Sequence, residues 1–243
     1  MLVLLPPSET KAPGGDGPPM DLDALAFPDL TPVRRKLAEA LVDLAADVPG
    51  SLRVLGLSLR QEDEVARNAT LWSSRTLPAL ERYTGVLYDA LDIGGFTKAH
   101  REKAGRRLAV ASALFGVVRG DDRIPAYRLS GGASLPSLGT LRALWRPVLE
   151  PVLATADELI VDLRSGAYAA LARIPEAVTV RVVTEGGKTV SHHNKAAKGR
   201  LAAALATAGR EPSSVEGLIG TAARAGIRLV RVGERELDLI TAR

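Results

Sequence analysis

Residues 108–118, LAVASALFGVV, form an unbroken apolar, small-residue run, and residues 119–123, RGDDR, end it abruptly. Such a run can serve only as a buried helix or strand. Either way it must hand the chain directly from the core to a dense polar loop. Pro125 then fixes a turn, and Gly131-Gly132 frees the backbone for positive φ. A buried element that delivers polar side chains at its end is how a scaffold presents a site. The alternative is an ordinary core helix followed by a surface loop.

Several classes of chemistry are excluded by composition. With 0 Cys, the 243-residue chain has no disulfide, thiolate metal site, iron–sulfur cluster or cysteine nucleophile. Three His, two of them adjacent, are too few for an ordinary transition-metal site, so no metal and no cofactor are expected. No apolar run approaches the ~20 residues that span a bilayer. Residues 1–7, MLVLLPP, lack the basic region and cleavage site of a signal peptide, so a cytoplasmic protein without membrane contact is expected. The formal charge is only +4, but residues 164–243 hold 13 Lys and Arg against 7 Asp and Glu. That imbalance suits an anionic partner, and it also suits plain solubility.

In chain order, residues 1–5 read as a buried strand stopped by Pro6-Pro7, and residues 12–19 as a mobile Gly/Pro excursion. Helical spacing covers residues 31–47, stretches of 62–91, 97–108 and 138–153. Strands are expected at 159–163 and 178–184, with a hairpin partner at 189–192 and a helix over 194–208. Residues 227–232 and 235–240 read as a hairpin across Gly233-Glu234, a type II′ turn. Strands dispersed among helices predict an α+β fold, with residues 1–243 forming a single compact domain in which helices surround a mixed β-sheet.

The densest local signal is SHHNKAAKGR, residues 191–200. A helix beginning at Asn194 carries Lys195 and Lys198 on one side of its first turn. There they oppose the helix dipole unless an anion arrives, and a phosphate would satisfy both; the alternative is that both extend into solvent. Walker A, GxGxxG, GxSxG and HExxH patterns are absent. Asp121 and Asp122 are neighbours rather than a facing pair, which suits turn capping. Residues 114–118, LFGVV, are faintly like the hairpin of a helix-hairpin-helix, without its second glycine.

Five separated blocks carry a resemblance over essentially the whole chain: Pro6-Pro7-Ser8-Glu9-Thr10 after the first strand, Tyr83-Thr84-Gly85, residues 114–119 with Pro125-Ala126-Tyr127-Arg128-Leu129, Asp162-Leu163-Arg164-Ser165 with Tyr168, and Asn194-Lys195-Ala196-Ala197-Lys198-Gly199. Their order resembles that of the YaaA family of bacterial peroxide stress proteins. The resemblance implies a compact α and β domain in the cytosol that limits peroxide damage by lowering free iron. It also implies binding of double-stranded DNA through a basic cleft and a helix-hairpin-helix-like element. Two departures stand out. A lysine of some members is Glu9 here, with Lys11 two positions on, and a Lys-Lys-Ala-Arg run becomes Lys195-Ala196-Ala197-Lys198.

Two functional readings follow. One is a stress protein that holds DNA phosphates, non-specifically, with Lys195, Lys198, Arg128 and Arg164. The other is an enzyme acting on a phosphorylated or nucleotide-like small molecule, whose pocket draws on Ser8, Thr10, Thr84, Tyr127, Ser165, Tyr168 and His193. Direct ligation of iron is not expected, because an all-carboxylate site is missing from the sequence.

Overall fold

A computed structural model describes residues 1–156, 158–186 and 191–241. The chain opens with β1 (Leu2–Leu5), followed by helices α1 (Thr31–Ala45), α2 (Val48–Leu55) and α3 (Glu62–Ala69). Next come β2 (Leu77–Pro78), α4 (Ala79–Arg82), α5 (Val86–Leu91), α6 (Lys98–Arg107), β3 (Leu108–Ser112), β4 (Gly116–Arg119) and β5 (Arg123–Ile124). The small strands β6 (Ser134–Leu135) and β7 (Gly139–Thr140) precede α7 (Leu141–Ala154), β8 (Ile160–Asp162), α8 (Gly166–Ala169) and β9 (Val178–Thr184). The chain closes with α9 (Ser191–Thr207), α10 (Val215–Arg224), β10 (Arg228–Arg231) and β11 (Glu236–Thr241).

The main sheet has the order β10-β11-β9-β8-β1-β3-β4. Its five central strands run parallel, while β4 and β10 pair antiparallel at the two edges. The pattern is that of strands buried on both faces. All of LVLL in β1 and LAVAS in β3 is buried, as continuous apolar strands must be when helices cover both sides. The fold is thus α+β with a mixed sheet among helices. From β1 the neighbours diverge, β3 to one side and β8 to the other, so the loops that leave parallel β1 and β8 open side by side. A crevice at the carboxyl ends of strands where the order reverses is where open sheets of this kind bind ligands.

The run at 108–118 forms neither one helix nor one strand but the hairpin β3–β4. Gly116 turns the chain at φ 73°, and a Cβ there would meet the Trp145 ring at 2.8 Å. Phe115 N–H donates to Ser112 Oγ at 3.0 Å inside the turn. The helix-hairpin-helix likeness fails for the same reason, since Leu114, Phe115, Val117 and Val118 are buried in a β-hairpin. Asp122 does cap the turn, accepting from Arg119 N at 2.8 Å and Ala26 N at 3.0 Å.

Three other expectations are corrected. The excursion at 12–19 is tied down: Arg82 is fully buried and donates to the carbonyls of Ala12, Gly14, Arg75 and Ile124, while Arg123 pairs with Asp16. His192 belongs to α9 rather than to a strand. Thr189 and Val190 of the expected hairpin partner lie outside the described residues. Gly233 lacks a positive φ, so β10 and β11 pair without a type II′ turn, and Glu236 O accepts from the N–H groups of Val232 and Gly233 instead. Helix α10, which the sequence reading missed, is capped by Ser214, whose side chain accepts from Gly217 N. Among the described residues no helix is long and apolar enough to cross a membrane.

Candidate functional site: a cleft at the ends of β1 and β8

Strand β1 runs into Pro6-Pro7, which lack the N–H groups needed to continue a ladder, and the chain lifts off the sheet edge. The loop from β8 does the same through Arg164-Ser165-Gly166. Between these loops lies a cleft of about 480 Å³, closed on its other sides by residues Thr84 to Tyr88 and by Asn194, Lys195 and Lys198 of α9. That volume lies within the range of small-molecule sites. Helices α5 and α9 form its walls and meet closely at Gly199, where an added Cβ would lie 2.2 Å from Leu87 O.

Hydroxyl groups gather on the β1 side. Ser8 Oγ and Thr84 Oγ1 each lie 3.1 Å from Thr10 Oγ1, and Thr84 N–H donates to Thr10 O. Thr10 braces the two lining residues from behind. Gly85, at φ 97°, brings its backbone against both hydroxyls; an added Cβ would lie 3.5 Å from Ser8 Oγ and 3.6 Å from Thr10 Oγ1. Ser165 and Tyr168 line the opposite side. Tyr168 OH accepts from Gly131 N at 3.1 Å, which leaves its own proton to donate.

Expected cations take different roles. Lys195 is exposed at the cleft wall. Lys198 is half-buried and donates to Leu163 O at 2.9 Å and Arg164 O at 3.5 Å, so it ties α9 to the β8 loop instead of reaching into solvent. Burial pulls its pKa below the ordinary lysine value. Because α9 begins at Ser191, three residues before the expected start, neither lysine sits in its first turn. Arg164 lines the cleft, but Asp162 holds it in a two-pronged ion pair and it donates further to Tyr168 O and Ala172 O. Arg128 stands behind the wall, bound to Glu9 Oε2 at 3.0 Å, with its own backbone clamped by Asn68.

Tyr127 is not at the surface of the cleft. It is fully buried, and its OH lies 2.8 Å from both Tyr83 OH and Ser112 Oγ. The side chain of His193 lies outside the described residues. Ser8, Thr84, Arg164, Ser165, Tyr168, Lys195 and Lys198 therefore share one cleft, while Thr10, Tyr127 and Arg128 support it.

Sequence reasoning overlooked Lys11 as a site residue. Its ammonium sits 4.3 Å from the Tyr127 ring centre and 5.3 Å from that of Tyr83, and donates to Ser8 O at 3.1 Å and Glu9 O at 3.4 Å. Desolvation lowers its pKa to about 8, partly opposed by Glu9. Burial likewise raises Tyr83 to about 12 and pushes Tyr88 and Tyr127 well above the usual phenol value, so these hydroxyls stay protonated. All four tyrosines of the chain thus surround one cleft and its foundation. A lysine placed three residues past a strand-ending Pro-Pro-Ser carries no signal of that burial.

A family model described as peroxide stress protein YaaA matches residues 1–225. A UPF0246 protein of Corynebacterium efficiens is 47% identical over 99% of this chain and 99% of its own length. A UPF0246 protein of Streptomyces coelicolor is 45% identical over 90% of this chain and 88% of its own. A more distant relative from Campylobacter jejuni, an uncharacterized protein, is 26% identical over 83% of the chain and 82% of its own. With the family model matched over residues 1–225 and a relative 47% identical nearly end to end, the chain belongs to the peroxide stress protein YaaA family.

Proposed function

We propose that this protein serves the peroxide stress response by lowering free iron in the cell, and that it does so by binding a phosphate-bearing small molecule in the cleft. One observation carries the reading: four separate segments bring Ser8, Thr84, Ser165 and Lys195 to one enclosed place at the switch point of the sheet. Groove tracking along a polymer needs no such convergence, whereas recognition or turnover of a small molecule does.

A second reading, duplex DNA held by its phosphates, is favoured by exposed cations on two neighbouring helices, Lys98 and Arg106 on α6 and Lys195 and Arg200 on α9. Such binding would weaken steeply with salt. Under this reading the contacts would come from helix surfaces, since residues 114–118 are buried.

The test uses a host that lacks this gene and is burdened with peroxide. Wild-type protein is expected to restore low free iron and growth. Lys195→Ala, an exposed change that leaves the fold intact, is expected to restore neither at equal protein level. Full rescue by Lys195→Ala would remove the cleft from the stress role.

A further inference from the structure

The cleft has two poles of opposite charge. Glu9 is the acidic residue among the described lining residues, and Lys195 is the lining cation with neither an ion pair nor a side-chain hydrogen bond among the described residues, since Arg164 pairs with Asp162 and Lys198 donates to two carbonyls. Glu9 is about half exposed, at 49% for its side chain. Arg128 pairs with its Oε2, and no hydrogen bond reaches Oε1 among the described residues. The loop that carries it is held from below by Lys11 and from the side by the Thr10–Thr84 contacts. The carboxylate is therefore presented on a fixed support. The same cleft is lined by the hydroxyls of Ser8, Thr84 and Ser165, which can both donate and accept.

A carboxylate accepts hydrogen bonds and cannot donate them. A bare oxyanion in this cleft would gain from Lys195 and be repelled by Glu9. A ligand that separates its anion from a pair of donor groups satisfies both ends. Resting on the reading of the cleft as a phosphate-ester site, we infer that its ligand is the phosphate monoester of a sugar with a free vicinal diol, the phosphate lying toward Lys195 and the diol donating to Glu9. Ribonucleoside monophosphates and simple pentose phosphates share that chemistry. DNA does not, because its sugars lack the 2′-hydroxyl.

Calorimetric titration of the intact protein with ribose 5-phosphate, AMP and their 2′-deoxy counterparts tests this. Ribo forms are expected to bind about tenfold tighter than deoxy forms, the scale of one charge-assisted hydrogen bond. A preference of AMP over ribose 5-phosphate would identify a nucleotide as the source of the diol, and equal binding of the two a sugar phosphate. Glu9→Ala is expected to abolish the ribo preference, and Glu9→Gln to leave an intermediate one. Neither change should move the melting temperature much, since the side chain is half exposed. Equal binding of ribo and deoxy forms by wild type would overturn the diol assignment while the phosphate-ester reading stands. Undiminished ribo preference in Glu9→Ala would overturn it as well. Failure of all four compounds to bind would overturn both.

Discussion

Gly199→Val is expected to lower the unfolding free energy by about 3 kcal/mol, the upper range for forcing atoms into packed space. The cause is local. At Gly199 an added Cβ would lie 2.2 Å from Leu87 O and 2.9 Å from Ala90 Cβ, so α9 cannot keep its seat on α5. Alanine should also destabilise, even though it is favoured over glycine in a helix by roughly 1 kcal/mol. Because the same two helices carry Leu87, Tyr88, Lys195 and Lys198, the displacement should widen the cleft and weaken its ligand binding. Urea unfolding of the three proteins checks the first effect. Equal stability of Gly199→Ala and wild type would mean that the two helices are not packed at this position.

The second large effect depends on pH. Lys11 has a folded-state pKa of about 8 against an unfolded value of 10.5. Between these values the unfolded chain binds more protons than the folded one, so the Lys11 contribution to stability rises with pH. Below about pH 8 the buried ammonium exerts its full destabilising effect; above 10.5 that effect is gone. Relative to Lys11→Met, which cannot titrate, wild type should gain on the order of 2–3 kcal/mol across this window. Neighbouring Glu9, Glu64, Arg67, Arg128 and Tyr83 remain in both proteins, so their titrations cancel to first order. Parallel stability curves from pH 7 to 10.5 would show that Lys11 keeps an ordinary pKa.

Much of the scaffold was legible in the sequence because its signals are local. Pro6-Pro7 marked the end of β1, Thr97 and Thr140 cap α6 and α7 near the expected starts, a continuous apolar run marked β1, and stretches rich in β-branched residues marked β8 and β9. The hairpin β3–β4 was not legible, since an apolar run of small residues has no period that separates helix from strand. Gly116 decides the matter only through its close approach to Trp145, far along the chain. Convergence of Ser8, Thr84, Ser165 and Lys195 rests on β1 and β8 being neighbours, which pairing over a long separation determines. Which charges are already satisfied was hidden for the same reason. Lys198 and Arg164 spend their donors on nearby carbonyls and a carboxylate, and only the folded geometry distinguishes them from Lys195.

The most direct measurement is an amide NMR titration of the full-length protein with AMP. Perturbations should concentrate at residues 8–9, 84–86, 164–166 and 194–198, the four segments that line the cleft. They should saturate together with a single dissociation constant and vanish in Lys195→Ala. Perturbations centred on Lys98 to Arg106 of α6 instead, or spread weakly over all exposed cations, would contradict a binding site at the ends of β1 and β8.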